Sequence, residues 1–270
     1  MSTYSSPDCP DPRRAFADRR VLITGASLGI GREVARRFAL AGAEVAIHHS
    51  KQIDELTGHA NAAGALAGDL QADGAKLHVL DVDLAVPGSG MTLANHALDV
   101  LGQVDIVVLC ASMQIREDFA AISPASIQKH ARVNFEASIE LLQALLPGMS
   151  GRGWGRVIAI GSLNQTRPDP QLAVYAALKA AHHNLMANLA KVHAPNGVTV
   201  NTISPGLIAT PRNAWRRENA AEWAAIEHGA NPMHRSGHPH EVAEMVLVLA
   251  SPAGSFITGT NIPIDGGAHL

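Results

Sequence analysis

The chain has 270 residues, 47% of them hydrophobic, enough to fill one large core and a less natural length for two small domains. Lys plus Arg number 21 against 24 Asp plus Glu, and the net charge of -3 gives no broad basic field for nucleic acid or anionic lipid, so the expected partner is a small molecule. Cys9 and Cys110 lie far apart without CxxC or paired-ligand spacing, which argues against a disulfide scaffold or structural zinc and for a reducing, cytoplasmic setting.

Residues 1–17 are rich in Ser, Pro, Asp and Arg and lack an apolar stretch, so they read as a flexible tail rather than a secretory signal. No later segment has the length of a membrane span. From Val21 onward, short β-branched runs alternate with longer Ala- and Leu-rich stretches. Strands are predicted at 20–24, 44–48, 76–80, 105–110, 156–160, 199–203 and 261–264, with helices at 30–41, 53–73, 90–101, 124–146, 174–194 and 240–249. Gly42 and Gly74 follow two of these helices, Ser123 and Pro124 open a third, and Pro195 closes a fourth. The alternation predicts a single α/β domain over 18–270: a doubly wound, Rossmann-type parallel sheet of seven strands with helices on both faces. The segment 210–237 has an Arg-Arg pair, two prolines and no clear strand, and is expected to form a substrate lid.

The first strand runs directly into Gly25-Ala26-Ser27-Leu28-Gly29-Ile30-Gly31 and then a helix. Glycines allow a tight turn and close approach of backbone to a pyrophosphate, and free N–H groups at a helix start favour the anion. Gly25, Ser27, Leu28, Gly29, Ile30 and Gly31 are therefore expected to hold a dinucleotide. The second strand ends His48-His49-Ser50-Lys51, without the acid that would accept from a ribose diol and repel a 2′-phosphate. His49, Ser50 and Lys51 suit a phosphate, which predicts NADP(H) over NAD(H). Further on, Ser162 follows an apolar strand and Gly161, at a strand tip above the sheet. Tyr175 and Lys179 are one helical turn apart and share a face. A tyrosine with an ordinary pKa of about 10 is a poor base at neutral pH, but a neighbouring ammonium favours its phenolate. Taken alone, YxxxK also arises on solvated helices. The histidines at 234, 238 and 240 have no Cys or carboxylate at ligand spacing, so no metal site is expected.

The TGxxxGIG turn, the serine at a strand tip and the YxxxK pair resemble the classical short-chain dehydrogenase/reductase family, over residues 19–268, with 3-oxoacyl-carrier-protein reductases among the patterns nearest to it. The resemblance implies transfer of a hydride between a nicotinamide and a ketone or secondary alcohol, with Asn134, Ser162, Tyr175 and Lys179 as the catalytic constellation. It assigns Asp81 and Val82 to the adenine, and Pro205, Gly206, Ile208 and Thr210 to the nicotinamide end. It places Cys110, Ala111 and Ser112 where relatives carry Asn-Ala-Gly, so that Ser112 replaces a glycine lying against the cofactor ribose. Leu28 departs from the basic residue that many NADP-using relatives have in the turn. Met113, Leu163, Asn164, Leu207 and Trp215, with Gln114, Arg116, Gln165 and Arg212, are candidate substrate contacts for a small polar ketone, a sugar or polyol, or a 3-oxoacyl group. In such proteins the last strand and two long central helices usually build a homotetramer. Two other readings remain: a silent dinucleotide-binding sensor or scaffold, which typically lacks the Tyr or Lys, and a sugar-nucleotide epimerase, which has a different glycine spacing.

Overall fold

The β-branched runs become seven parallel strands: β1 (Arg20–Thr24), β2 (Glu44–His49), β3 (Leu77–Asp81), β4 (Ile106–Leu109), β5 (Gly155–Ile160), β6 (Val198–Pro205) and β7 (Asn261–Ile264). They lie in the order β3-β2-β1-β4-β5-β6-β7 in a computed structural model that describes residues 15–270. The chain winds outward one way from β1 through β3, then returns to place β4 on the other side of β1. The carboxyl ends of β1 and β4 therefore flank the switch point, where such sheets leave a crevice. Register there pairs Thr24 with Leu109 and Ile23 with Ile47.

Alternate strand residues face opposite layers, as the two-residue period requires. Val21 and Ile23 pack with α1 (Gly29–Leu40), α3 (Ala62–Ala72) and α9 (Pro239–Ala250) through Val34, Phe38, Leu66 and Val246. Leu22 and Val107 face α4 (Ser89–Leu101), α6 (Ala137–Gly151) and α7 (Ala173–His193) through Leu93, Leu142 and Met186. Burial on both faces explains why β1, β4 and β5 read as apolar runs.

Four expectations need correction. Of the tail 1–17, residues 1–14, Cys9 among them, lie outside the described residues, but Phe16 belongs to the core. Its ring meets Phe38 edge-on at 4.9 Å and its N–H donates to Ala41 O at 3.0 Å, a burial that one aromatic in a polar context does not announce. The single helix expected at 53–73 is two, α2 (Lys51–Leu56) and α3, separated at Gly58, which has φ +78°. The helix expected at 124–146 is α5 (Pro124–Ala131), a π-helical turn (Arg132–Glu136) and α6. Finally, the excursion 210–237 contains a further helix, α8 (Ala220–Ala230), whose start is capped by Asn219 Oδ1 accepting from Ala221 N and Glu222 N. No residue of α8 is buried, so it carries no apolar periodicity to read.

Candidate active site

The glycine turn is shaped by what lies against it. Gly25 has φ +64°, and a Cβ there would stand 2.7 Å from Ala111 Cα. A Cβ on Gly31 would sit 2.3 Å from Gly25 O, so α1 begins hard against the turn, with Leu28 as its N-cap. A Cβ on Gly29 (φ +57°) would come within 3.4 Å of the Thr210 side chain, which brings the segment after β6 back across the turn. Thr24 Oγ1 accepts from Cys110 N and Ala111 N, both at 3.0 Å, and so locks the ends of β1 and β4 together. Ile30 is half-buried, and Cys110 packs against the core with its thiol pushed up by burial. A turn in which backbone crowds Gly25 and Gly31, at the start of α1, fits a dinucleotide diphosphate.

His48, which the sequence reading passed over, ties this turn to its surroundings. Its buried ring accepts from Gly25 N at 3.1 Å through Nδ1 and donates to Val82 O at 2.8 Å through Nε2. Burial pushes its pKa down to about 4, in keeping with an uncharged ring that accepts at one nitrogen and donates at the other.

At the end of β2 the expectation of no acid is corrected. Asp54 of α2 folds back into that position, buried, and accepts from Ser27 Oγ at 2.9 Å and from His49 Nδ1 at 2.8 Å. The sequence signal was an Asp in the first turn of a helix N-capped by Ser50, whose hydroxyl accepts from Ile53 N. Lys51 N donates to Asp81 Oδ1 at 2.8 Å, and Val82 N donates to His49 O at 3.1 Å. Ser27, His49, Ser50, Lys51, Asp81 and Val82 are thereby gathered at one junction.

Around the tip of β5, Lys179 is buried and its ammonium donates to Ile160 O at 2.7 Å, 5.8 Å from the centroid of the Tyr175 ring. Burial pushes the Lys179 pKa below the usual lysine value, and the nearby Tyr175 opposes that shift. Ser162 is buried in extended backbone just past β5 and accepts from Asn164 N at 3.1 Å. Gly161 before it admits no side chain, since a Cβ would meet Gln165, Thr202 and Ser204 atoms at 2.8 to 2.9 Å. α7 packs against the short turn Leu163–Gln165 and the π-helical turn, so Ser162, Tyr175 and Lys179 share one end of the sheet.

Asn134 lies buried in that π-helical turn, and its amide grips the segment after β4: Oδ1 accepts from Met113 N at 3.1 Å and Nδ2 donates to Met113 O at 2.9 Å. Ser112, beside it, is met by Arg212, which donates to Ser112 O at 3.0 Å and to its Oγ at 3.1 Å. Beyond β6, a Cβ on Gly206 would lie 2.8 Å from Asp265 Cβ, so β6 and β7 close tightly below Leu207. Pro205 ends β6, buried Ile208 bridges to Gly237, and Thr210 caps the turn Pro211–Arg217. Met113, Leu163, Asn164, Gln165 and Leu207 are half-buried, whereas Trp215 on that turn is 64% exposed. Arg116 is exposed and bound to Asp169 at 2.6 Å. Among the described residues no group of three or more His, Cys, Asp or Glu side chains is placed to hold a metal, and no helix is long and apolar enough to cross a membrane.

Residues 25–269 match a family model described as enoyl-(acyl carrier protein) reductase. The acetoacetyl-CoA reductase of Allochromatium vinosum is 30% identical over 93% of this chain and 99% of its own length. The galactitol 2-dehydrogenase (L-tagatose-forming) of Cereibacter sphaeroides is 34% identical over 91% and 92%. Among solved structures, the 3-oxoacyl (acyl-carrier-protein) reductase of Agrobacterium tumefaciens with NADP bound superposes with a TM-score of 0.87 at 38% identity, covering 94% of this chain and 96% of that one. Fold, glycine turn and similarity along nearly the full length agree: the chain belongs to the classical short-chain dehydrogenase/reductase family, of the 3-oxoacyl-carrier-protein reductase type, whose members are NAD(P)-dependent oxidoreductases acting on CH–OH and C=O groups.

Proposed function

We propose that this enzyme uses NADP(H) in preference to NAD(H), with Ser162, Tyr175 and Lys179 as its catalytic residues and Asn134 in support. The carrying observation is the buried Lys179 ammonium, 5.8 Å from the centroid of the Tyr175 ring, which donates to Ile160 O and forms no ion pair with a carboxylate among the described residues. A buried cation without an anion stabilises whatever negative charge forms beside it, here the phenolate of Tyr175. Ser162 and Tyr175 hydroxyls hold the substrate oxygen. In reduction the Tyr175 phenol gives its proton to that oxygen, and in oxidation the phenolate takes it back. A nicotinamide held by these residues would supply the hydride to the carbonyl carbon in reduction or accept it from the alcohol carbon in oxidation. Lys179 is also read as bonding the nicotinamide ribose, and Asn134 fixes the segment after β4 through Met113.

The cofactor preference is supported by the NADP-bound neighbour and by Asp54, the acid near the end of β2, being buried and bonded to Ser27 and His49 rather than standing exposed at the strand end. Gly25, Gly29 and Gly31 take the diphosphate with Ser27, Leu28 and Ile30. The 110–112 segment and 205–210 flank the nicotinamide end. Met113, Leu163, Asn164, Leu207 and Trp215 are the proposed substrate contacts, under a lid at 210–237, for a small polar ketone, a sugar or polyol, or a 3-oxoacyl group. The catalytic domain is read as 18–270, in the cytoplasm. A homotetramer is favoured by a groove of about 300 Å³ along α6 and α7, where Ile139, Leu185 and Leu189 stay only half-buried.

Tyr175→Phe tests the assignment. Turnover is expected to fall by a factor of roughly 10² to 10⁴, the range of a positioned proton donor, while NADPH quenching of protein fluorescence persists. Undiminished turnover would remove Tyr175 from its role. A higher kcat/KM with NADH than with NADPH would reverse the cofactor preference and leave the rest standing.

A further inference from the structure

α5 and the π-helical turn that follows it carry polar side chains four residues apart, Ser126, His130 and Asn134, and all of them hold the segment that leaves β4. Asn134 takes the N–H and C=O of Met113, His130 Nε2 accepts from Ile115 N at 3.3 Å, and Ser126 Oγ donates to the Glu117 carboxylate at 2.5 Å. The spacings match, because four helical residues rise about 6 Å and two residues of extended chain advance about 6.6 Å. His130 and Asn134 are buried, and the His130 ring is itself fixed, its Nδ1 donating to Ser126 O at 2.9 Å. We propose that His130 is a positioning residue for substrate: with Asn134 it pins one edge of 113–115, so that Gln114 between the two anchors presents its backbone N–H and C=O to the crevice, as a donor and acceptor for the polar part of the substrate beyond the reacting carbonyl. This inference rests on the substrate contacts read above at Met113 and its neighbours.

The direction follows from the two-residue period of extended chain, in which successive backbone groups point to opposite sides. The N–H groups of Ala111, Met113, Ile115 and Glu117 are taken by Thr24 Oγ1, Asn134 Oδ1, His130 Nε2 and Gln171 O, at 3.0 to 3.3 Å. Those of Ser112 and Gln114 therefore face the other way. Ser112 shows what lies there: its carbonyl accepts from Arg212 of the turn Pro211–Arg217, and Thr210, which caps that turn, reaches the glycine turn at Gly29. Gln114 is half-buried two residues further on, and neither its N–H nor its C=O has a hydrogen bond among the described residues. A backbone pair already held along its opposite edge loses little conformational freedom when a ligand binds it. An apolar side chain at 130 would fill the same space and leave the Ile115 N–H unheld.

Positioning and bare structural support separate in the kinetics. A side chain that only stabilises the fold changes the active fraction, which lowers kcat at constant KM. One that holds a substrate-binding group contributes to ground state and transition state alike, so its loss raises KM and spares kcat. The probes are hydroxyacetone, L-tagatose and acetoacetyl-CoA, one for each kind of ketone named above, reduced with NADPH by the full-length protein. The one reduced fastest is then measured with the variants His130→Leu, His130→Gln, Gln114→Pro and Gln114→Ala.

His130→Leu is expected to raise the ketone KM by about tenfold, the worth of a hydrogen bond, while kcat falls by less than about threefold and NADPH affinity by fluorescence stays within about twofold. His130→Gln keeps an acceptor for Ile115 N and is expected to recover KM to within about threefold of the original. Gln114→Pro, which deletes the presented N–H, is expected to raise KM at least about threefold above Gln114→Ala, which keeps it. An unchanged KM in His130→Leu overturns the proposal, as does a matching loss of NADPH affinity, a Gln variant no better than Leu, or equal KM in the two Gln114 variants. If His130→Leu does not fold, the Gln114 pair decides alone: a higher KM for Pro than for Ala supports the presented edge, and equality refutes it. Reduction of none of the three ketones by the unaltered protein overturns the substrate reading itself, and the proposal with it.

Discussion

Gly25 shows how a single backbone position decides whether the crevice exists. Its φ of +64° is a conformation that side chains resist, and a Cβ would stand 2.7 Å from Ala111 Cα and 2.9 Å from Ala111 N. Both contacts are backbone, fixed by the hold of Thr24 on Cys110 and Ala111, so neither can swing away. Gly25→Ala is therefore expected to push the turn off the end of β4, lowering NADPH affinity by at least about tenfold and stability by about 1 to 3 kcal/mol. Fluorescence titration and urea denaturation measure the two, and a variant with unaltered affinity would show that the turn does not bind the diphosphate. Ser112 is the contrasting case: its hydroxyl accepts from Arg212 at 3.1 Å.

At the scale of elements, the strands were more legible than the helices and the breaks between them. β1 and β7 begin and end at the expected residues, and β6 extends past its expected end because Ser204 and Pro205 continue the ladder beside Pro263 and Ile264. What the sequence hid is of three kinds. α8 has no buried face and so no period. The break between α2 and α3 depends on a single positive-φ glycine. Asp54 reaches the β2 terminus from the next helix, so a reading confined to strand ends could not place it. The π-helical turn belongs with these: its one-residue widening leaves no mark in composition, yet it positions Asn134 to hold both backbone groups of Met113. Asn134→Ala leaves that N–H and C=O without their partner, at about 1 to 3 kcal/mol for the buried pair. The expected result is a lowered urea midpoint together with reduced kcat, since the freed segment adjoins Ser112. Reduced stability with unchanged kcat would confine Asn134 to a structural part.

For the whole molecule, two buried histidines contribute to the response to acid. His48 is buried between the glycine turn and Val82, with its pKa pushed down to about 4 by burial. His182 of α7 is buried with no partner for Nε2 among the described residues, and burial, with Lys179 adding, pushes it down to about 3. In the unfolded chain both titrate near the ordinary value of about 6.5. Between that value and the folded ones the unfolded chain binds more protons, so stability is full above about pH 6.5 and declines as pH falls toward 4 and 3. Each unit of depression corresponds to about 1.4 kcal/mol, so two such groups remove several kcal/mol by about pH 4.5, a large share of the 5 to 15 kcal/mol typical of folded proteins. The two differ in what else they disturb. Protonating His48 removes the acceptor for Gly25 N–H and so loosens the cofactor turn, whereas His182 touches no part of that turn. His182→Leu is thus expected to flatten the dependence of urea stability on pH between 6.5 and 4.5 while leaving the acid loss of NADPH binding in place. A variant whose stability falls with acid as steeply as the original would show that His182 is not one of the groups responsible.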